Sequence, residues 1–174
     1  MAVFVTSDLH LGHENIVRFC DRPYSDAVEM EIRITQEWNA TVRDKDTIWV
    51  LGDFSFLNPL ETLEAISKLK GKKRFLRGNH DKAWWTQLVG FQNKYNFELV
   101  GDRHEFKHDG TYYVMDHFPL HSWNRKYHGS VHLHGHSHGN MSHEVEQMPN
   151  RHDIGWDVEQ RLFNIEEFKD NRPK

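Results

Sequence analysis

A chain of 174 residues, 37% of them hydrophobic and 28% charged, is read as a single domain over 1–174, and its balanced composition excludes a disordered tail or a fibre. A net charge of −4 excludes the broad basic surface that would hold extended duplex nucleic acid. One cysteine, Cys20, leaves no intrachain disulfide, and no run nears the roughly 20 apolar residues of a membrane span, so a soluble cytoplasmic protein without a membrane partner is expected.

Residues 2–6 (AVFVT) have a buried-strand pattern, and a short helix follows through Ile16, Val17 and Phe19. Ser25 or Asp26 caps a longer helix whose apolar positions Val28, Ile32, Trp38 and Val42 are read as one buried face. A strand over 47–51 stops at Gly52-Asp53. Asn58 as cap and Pro59 at the first helical position announce a third helix, with Leu60, Leu63, Ile66 and Leu69 inward and Gly71 as its stop. A strand over 74–77 ends at Gly78-Asn79-His80-Asp81, and Asp81 starts a helix carrying Trp84, Leu88 and Phe91. The second half is mostly strand: 97–100, a hairpin of 104–107 and 111–115 turning through Asp109-Gly110, then 130–134 and 152–158. Asn164 caps a closing helix over 165–168. This order predicts an α/β core of two sheets covered by helices, parallel in part and mixed beyond.

Ligands of open α/β sheets bind beyond the carboxyl ends of the strands, and the ends here carry Asp8 and His10, Asp53, Asn79 and His80, His117, and His136 with His138. The chain holds fourteen histidines, with His128, His132, His134, His136 and His138 crowded together. Carboxylate oxygen, imidazole nitrogen, one amide oxygen and no thiolate suit borderline divalent cations, and a zinc finger is excluded. Asp8 and His10, two apart on extended backbone, point the same way, as do His136 and His138. Asp53, at the end of a central strand, suits a bridge between two cations roughly 3.5–4 Å apart. The set then divides into Asp8, His10 and His138 with Asp53 on one metal, and Asn79, His117 and His136 with the same Asp53 on the other.

Taken in order, Asp8-Leu9-His10, Gly52-Asp53, Gly78-Asn79-His80-Asp81, His117 and Gly135-His136-Ser137-His138 resemble the signature of the calcineurin-like metallophosphoesterases. The resemblance spans residues 8–138. It implies a four-layer αββα sandwich of two mixed sheets flanked by helices, and it matches the ligand assignments above. It implies two divalent transition-metal ions, manganese first, with iron, zinc, nickel or cobalt as the others that nitrogen-rich ligands favour. It also implies that His80 is the catalytic group, touching the phosphate and either stabilising charge or protonating the leaving oxygen. The chain departs from some members in being too short for a cap domain. It also carries Phe54-Ser55-Phe56 after Gly52-Asp53, where other members use an acidic residue to orient the catalytic histidine; Asp81 is the candidate by adjacency.

His13 and Asn15, one loop from His10, are candidate substrate contacts together with Asn79 and His80. Lys68, Lys70, Lys72, Lys73, Arg74 and Arg77 are read as a helix end and a solvated turn. Trp84 and Trp85 cannot both face inward on one helix, so one of them is expected near Asn79 and His80. The expected reaction is in-line attack of a metal-bridging hydroxide on a small phosphate ester, without a phosphoenzyme. An uncapped groove favours a phosphodiester, such as a nucleotide or another small diester. The alternative on the same centre is a phosphomonoesterase or nucleotide pyrophosphohydrolase. A non-catalytic binding module is the rival of a different class, disfavoured by the complete ligand set.

Overall fold

A computed structural model describes residues 1–141 and 148–169. Strands β1 (Val3–Thr6), β2 (Thr47–Leu51), β3 (Lys72–Leu76) and β4 (Phe97–Gly101) pair in parallel in the order β4-β3-β2-β1. Strands β5 (Arg103–His108), β6 (Thr111–Asp116), β7 (Val131–His134) and β8 (Arg151–Asp153) form a second sheet in that order. It is antiparallel between β5 and β6 and parallel beyond. The last strand, β9 (Phe163–Asn164), returns to pair antiparallel with β1, so both sheets are mixed.

Alternation in β2 explains the layering. Ile48 and Val50 face a helical layer, whereas Trp49 and Leu51 face the second sheet with Tyr113, Met115, Val131 and Leu133. A strand buried on both faces needs the uninterrupted apolar run seen here. The helical layer consists of α1 (Glu14–Phe19), α2 (Ala27–Thr41), α3 (Pro59–Lys68) and α4 (Lys82–Trp85). Asn58 and Glu61 close a capping box at the start of α3. Asp109 and Gly110 turn the β5–β6 hairpin with φ of 44° and 84°, the left-handed pair that a two-residue hairpin turn requires.

Three expected details are corrected. Val28 and Ile32 are 69% and 52% exposed, and α2 buries Ala27, Met30, Ile34 and Trp38 instead. At about 100° per residue, Val28 and Ile32 lie roughly 115° and 155° round from the centre of those four, outside the buried stripe. Leu60 is 76% exposed, about 120° round from Ile66 by the same count. The strand expected over 152–158 is β8 followed by a helical turn, Trp156–Glu159. Asp153 Oδ1 accepts the Gly155 amide at 2.9 Å and ends the strand. Trp156, fully buried, then packs into the helical-side core.

Over the outer face of the second sheet, the described residues supply a loop over 118–130 with one 3-10 turn, Lys126–His128. Buried His132 pins it, donating from Nδ1 to the Val114 carbonyl at 2.9 Å and accepting the Leu120 amide on Nε2 at 3.0 Å. No helix among the described residues is long and apolar enough to cross a membrane.

Burial pushes the pKa of His132 down from 6.5 to about 3. The unfolded chain therefore binds this proton throughout that window while the folded chain does not, and stability falls as pH drops from 6.5 toward 3. Urea unfolding of wild type at pH 6.5 and 4.5 is expected to lose about 2 kcal/mol from this group. His132→Gln, which cannot titrate, is expected to show a correspondingly shallower dependence.

Candidate metal centre

The centre forms where strand ends of both sheets meet. Beyond β1 and β2 the chains stay zipped: the Asp8 amide donates to the Gly52 carbonyl at 3.1 Å and the His10 amide to the Asp53 carbonyl at 3.0 Å. Beyond β6 and β7, the Gly135 amide donates to the His117 carbonyl at 3.0 Å. The expected extended backbone at the paired motif residues is corrected. Asp8, His10, Asp53, His136 and His138 all have left-handed backbone, with φ of 57°, 53°, 51°, 68° and 49°. Such strain costs roughly 1–3 kcal/mol per residue and gathers at functional sites. It turns successive polar side chains inward while Leu9, between the first two, stays in the core.

Two of the motif glycines are dictated by close approach. A Cβ on Gly78 would overlap the Asp53 carboxylate, and one on Gly135 would overlap Ser7 and Asp8. Asp81 closes the same junction from behind. Its buried carboxylate accepts the Gly78, Asp53 and Phe54 amides at 2.7, 2.9 and 3.0 Å.

All seven expected ligands are brought to this junction. Asp8, His10 and His138 offer donor atoms within 4.8 Å of one another, and so do Asp8, Asp53 and His117. Asp53 Oδ2 lies 3.7 Å from His10 Nε2 and 3.5 Å from His117 Nε2. Bonds of about 2.0–2.2 Å to a common cation would set neighbouring donors roughly 3.0–3.6 Å apart, so the spacing fits. His117 Nδ1 donates to the Leu51 carbonyl at 2.8 Å, which leaves Nε2 with a lone pair facing Asn79 Oδ1 at 2.9 Å. Two acceptors aimed at each other suit a cation. The ring of His136 stands 5.1 Å from that of His117, and its amide donates to Asp8 Oδ2 at 2.9 Å.

Asp157 and Arg22 have no counterpart in the sequence reading. His138 Nδ1 donates to Asp157 Oδ2 at 2.6 Å, directing Nε2 to the cluster. Arg22 grips the same carboxylate at 2.7 and 2.8 Å and donates to the Asp8 and Leu9 carbonyls at 2.7 and 2.8 Å. Burial resists the charge on Asp157, but the hydrogen bonds from His138 and Arg22 bring its pKa down to about 2. The same bond raises the pKa of His138 against burial. Nothing in the spacing could reveal a pair 135 residues apart in the chain. Cys20 also lies within reach of His138 and Asp157. Burial pushes its thiol up to about 11, so it stays protonated and serves as packing.

The expected role of Asp81 as partner of His80 is corrected, because its carboxylate is used by the three amides. The nearest carboxylate to the His80 ring is Asp53 Oδ2, at 4.0 Å. Phe56 walls that ring instead, 4.8 Å from His80 and 5.2 Å from His10, and stacks on His13 at 4.0 Å and 8°. His13 therefore reaches the rim of the centre. Asn15 is exposed on α1, and among the described residues no hydrogen bond ties it there. Trp84 is fully buried and Trp85 packs half-buried against the helical-side core, so the tryptophan expected near Asn79 and His80 is corrected as well. The basic run is structural where it is packed. Lys73 donates to the Leu69 carbonyl, and Arg74 pairs with Glu98 and covers Trp49.

The family model of the Calcineurin-like phosphoesterase superfamily domain matches residues 1–153. The chain belongs to that superfamily and is a metal-dependent phosphoesterase. An uncharacterized protein of Methanocaldococcus jannaschii is 33% identical over 160 residues, covering 90% of this chain and 81% of that one. The Gene 66 protein of Mycobacterium phage D29 is 25% identical over 196 residues, covering 97% and 94%. The fold is similar to that of an Aquifex aeolicus protein of unknown function, with a TM-score of 0.71, 22% identity, and 95% and 96% of the two chains covered. It is similar also to that of an archaeal phosphodiesterase, with a TM-score of 0.53, 16% identity, and 97% and 96% covered.

Asp157→Asn removes the charge that orients His138 while keeping its size. Metal affinity, measured by calorimetry with Mn²⁺, is expected to fall roughly 10- to 100-fold. Unchanged affinity would exclude an orienting role.

Proposed function

We propose that the chain is a dinuclear phosphodiesterase acting on small diesters, nucleotides among them. One observation carries the reading: Asp8 Oδ1 and both ring nitrogens of His10 are buried without a hydrogen-bond partner. Buried polar groups are nearly always partnered, and a divalent transition metal is the partner that suits a carboxylate and an imidazole together. Asp8, His10, Asp53 and His138 would hold one ion, and Asp53, Asn79, His117 and His136 the other. The position of Asp53 Oδ2 between His10 and His117 supports one oxygen shared by both. Nitrogen-rich donors favour manganese, iron, cobalt, nickel or zinc over magnesium.

When bound, two such ions supply Lewis acidity at the phosphate and acidify a water for in-line attack. The protein's own contribution falls to His80, whose side chain is 47% exposed at the rim. From there its ring can reach the departing oxygen and deliver a proton. Its backbone amide meanwhile steadies Asp53 Oδ1 at 2.9 Å. Aromatic residues at the rim and a cavity beside Asn79 leave room for a substituent on the phosphate. The archaeal phosphodiesterase of the same fold is in keeping with a diester.

Asp53→Asn is expected to weaken binding of both metals, whereas His80→Ala keeps them and lowers kcat by roughly 10²- to 10⁴-fold. Metal analysis of the two purified variants, beside rates on bis(p-nitrophenyl) phosphate and p-nitrophenyl phosphate, tests both points. Full metal retention by Asp53→Asn would sink the bridging role, and preference for the monoester would overturn the diester assignment.

A further inference from the structure

Two phenylalanines stand partly exposed beside the centre, Phe56 at 39% and Phe118 at 44%, and they are used differently. Phe56 lies flat on His13 and is flanked by His10 and His80, so imidazoles already cover it. Phe118 meets His117 at 74° and His136 at 60°, with centroids 4.9 and 4.6 Å apart. Neither imidazole lies flat on it, and part of its surface stays exposed. Its backbone is fixed, because the Phe118 amide donates to Asp116 Oδ1 at 2.9 Å and Asp116 is held in turn by Arg103.

Phe118 also lines a cavity of about 340 Å³ that includes Asn79, Lys82, Arg77, Asp102 and Asp116. This lies at the small end of ligand pockets, roughly 300–1,000 Å³, and suits one ring system better than a polymer. The cavity shares Asn79 with the proposed centre, so a phosphate held there carries a substituent straight into it. The charges of the lining are mostly cancelled within the protein. Arg77 pairs with Asp102 at 2.7 Å, and Asp116 with Arg103 at 2.9 Å. Lys82 is exposed and has no ion pair or hydrogen bond among the described residues, so it is available to an acceptor on a ring edge. Among the described residues of the lining a second phosphate would find only this one free cation, whereas a flat neutral ring finds the exposed part of Phe118.

We propose that Phe118 and this cavity form the seat for an uncharged aromatic ring on the phosphate, which makes aryl and heteroaryl esters preferred over alkyl ones. The seat rests on the phosphoesterase centre described above and adds a specificity-determining residue to it. Stacking of a ring on an aromatic side chain strengthens binding about tenfold or more.

The test is calorimetric and needs no turnover: phenylphosphonate and methylphosphonate are titrated into the Mn²⁺-loaded protein. Wild type is expected to bind phenylphosphonate about tenfold more tightly than methylphosphonate. Phe118→Ala is expected to abolish that preference by weakening phenylphosphonate alone, and Phe118→Trp to retain it. Equal affinities in wild type, or a preference that survives in Phe118→Ala, overturn the seat while leaving the centre intact. Binding of neither phosphonate by the metal-loaded wild type overturns the centre and the seat together.

Discussion

The structure depends on a close approach of backbones that only residues without a side chain permit. Gly78 lies against the Asp53 carboxylate, and Gly135 lies against Ser7 and Asp8. Gly78 and Asp53 follow neighbouring strands of one sheet, whereas the Gly135 contact joins loops from both sheets and limits the distance to which the two layers can close there. The wedge of Trp49, Leu51, Tyr113, Met115, Val131 and Leu133 fills the space that this distance leaves. Burial of those side chains stabilises the sandwich, and the loops at its edge are held in register as a consequence.

Such a junction concentrates polar groups where water cannot reach them, and the protein compensates unevenly. Asp81 and Arg22 satisfy backbone amides and carbonyls of the motif loops, which holds left-handed Asp53 and Asp8 in strained conformations. Asp8 Oδ1 and both ring nitrogens of His10 are left without a hydrogen-bond partner among the described residues. That asymmetry is informative. Backbone groups are satisfied where the chain is held, and the second polar atoms of Asp8, Asp53, His117 and His138 are anchored by hydrogen bonds within the protein.

The opposite rim follows a different logic. Beside His80 this chain presents Phe56, and ring contacts wall that imidazole. A histidine walled by an aromatic ring is restricted in orientation without gaining a fixed charge next to it. Phe118, on the side of His117 and His136, is partly exposed and lines the cavity beside Asn79. The two rims therefore offer packing on one side and recognition on the other.

Much of this was legible in the sequence. The ordered motif blocks and the alternation of strand and helix specify the fold class, and strand ends carrying Asp, Asn and His specify which residues gather. Those features are local, because a strand end or a capping box is written in a few adjacent residues. Helix faces were less legible, since Val28 and Ile32 share an apolar arc with Trp38 and Val42, while packing buries the neighbouring arc of Ala27, Met30, Ile34 and Trp38. The partners of the gathered residues were not legible at all. Asp157 reaches His138 and Arg22 through a turn that looks like a continuing strand, and Asp81 turned out to hold amides and not a histidine ring. The amino-acid order thus determined the donors and the layers they grow from. Tertiary structure alone decided which side chains orient them, because contacts between residues far apart in the chain leave no periodicity or spacing to read.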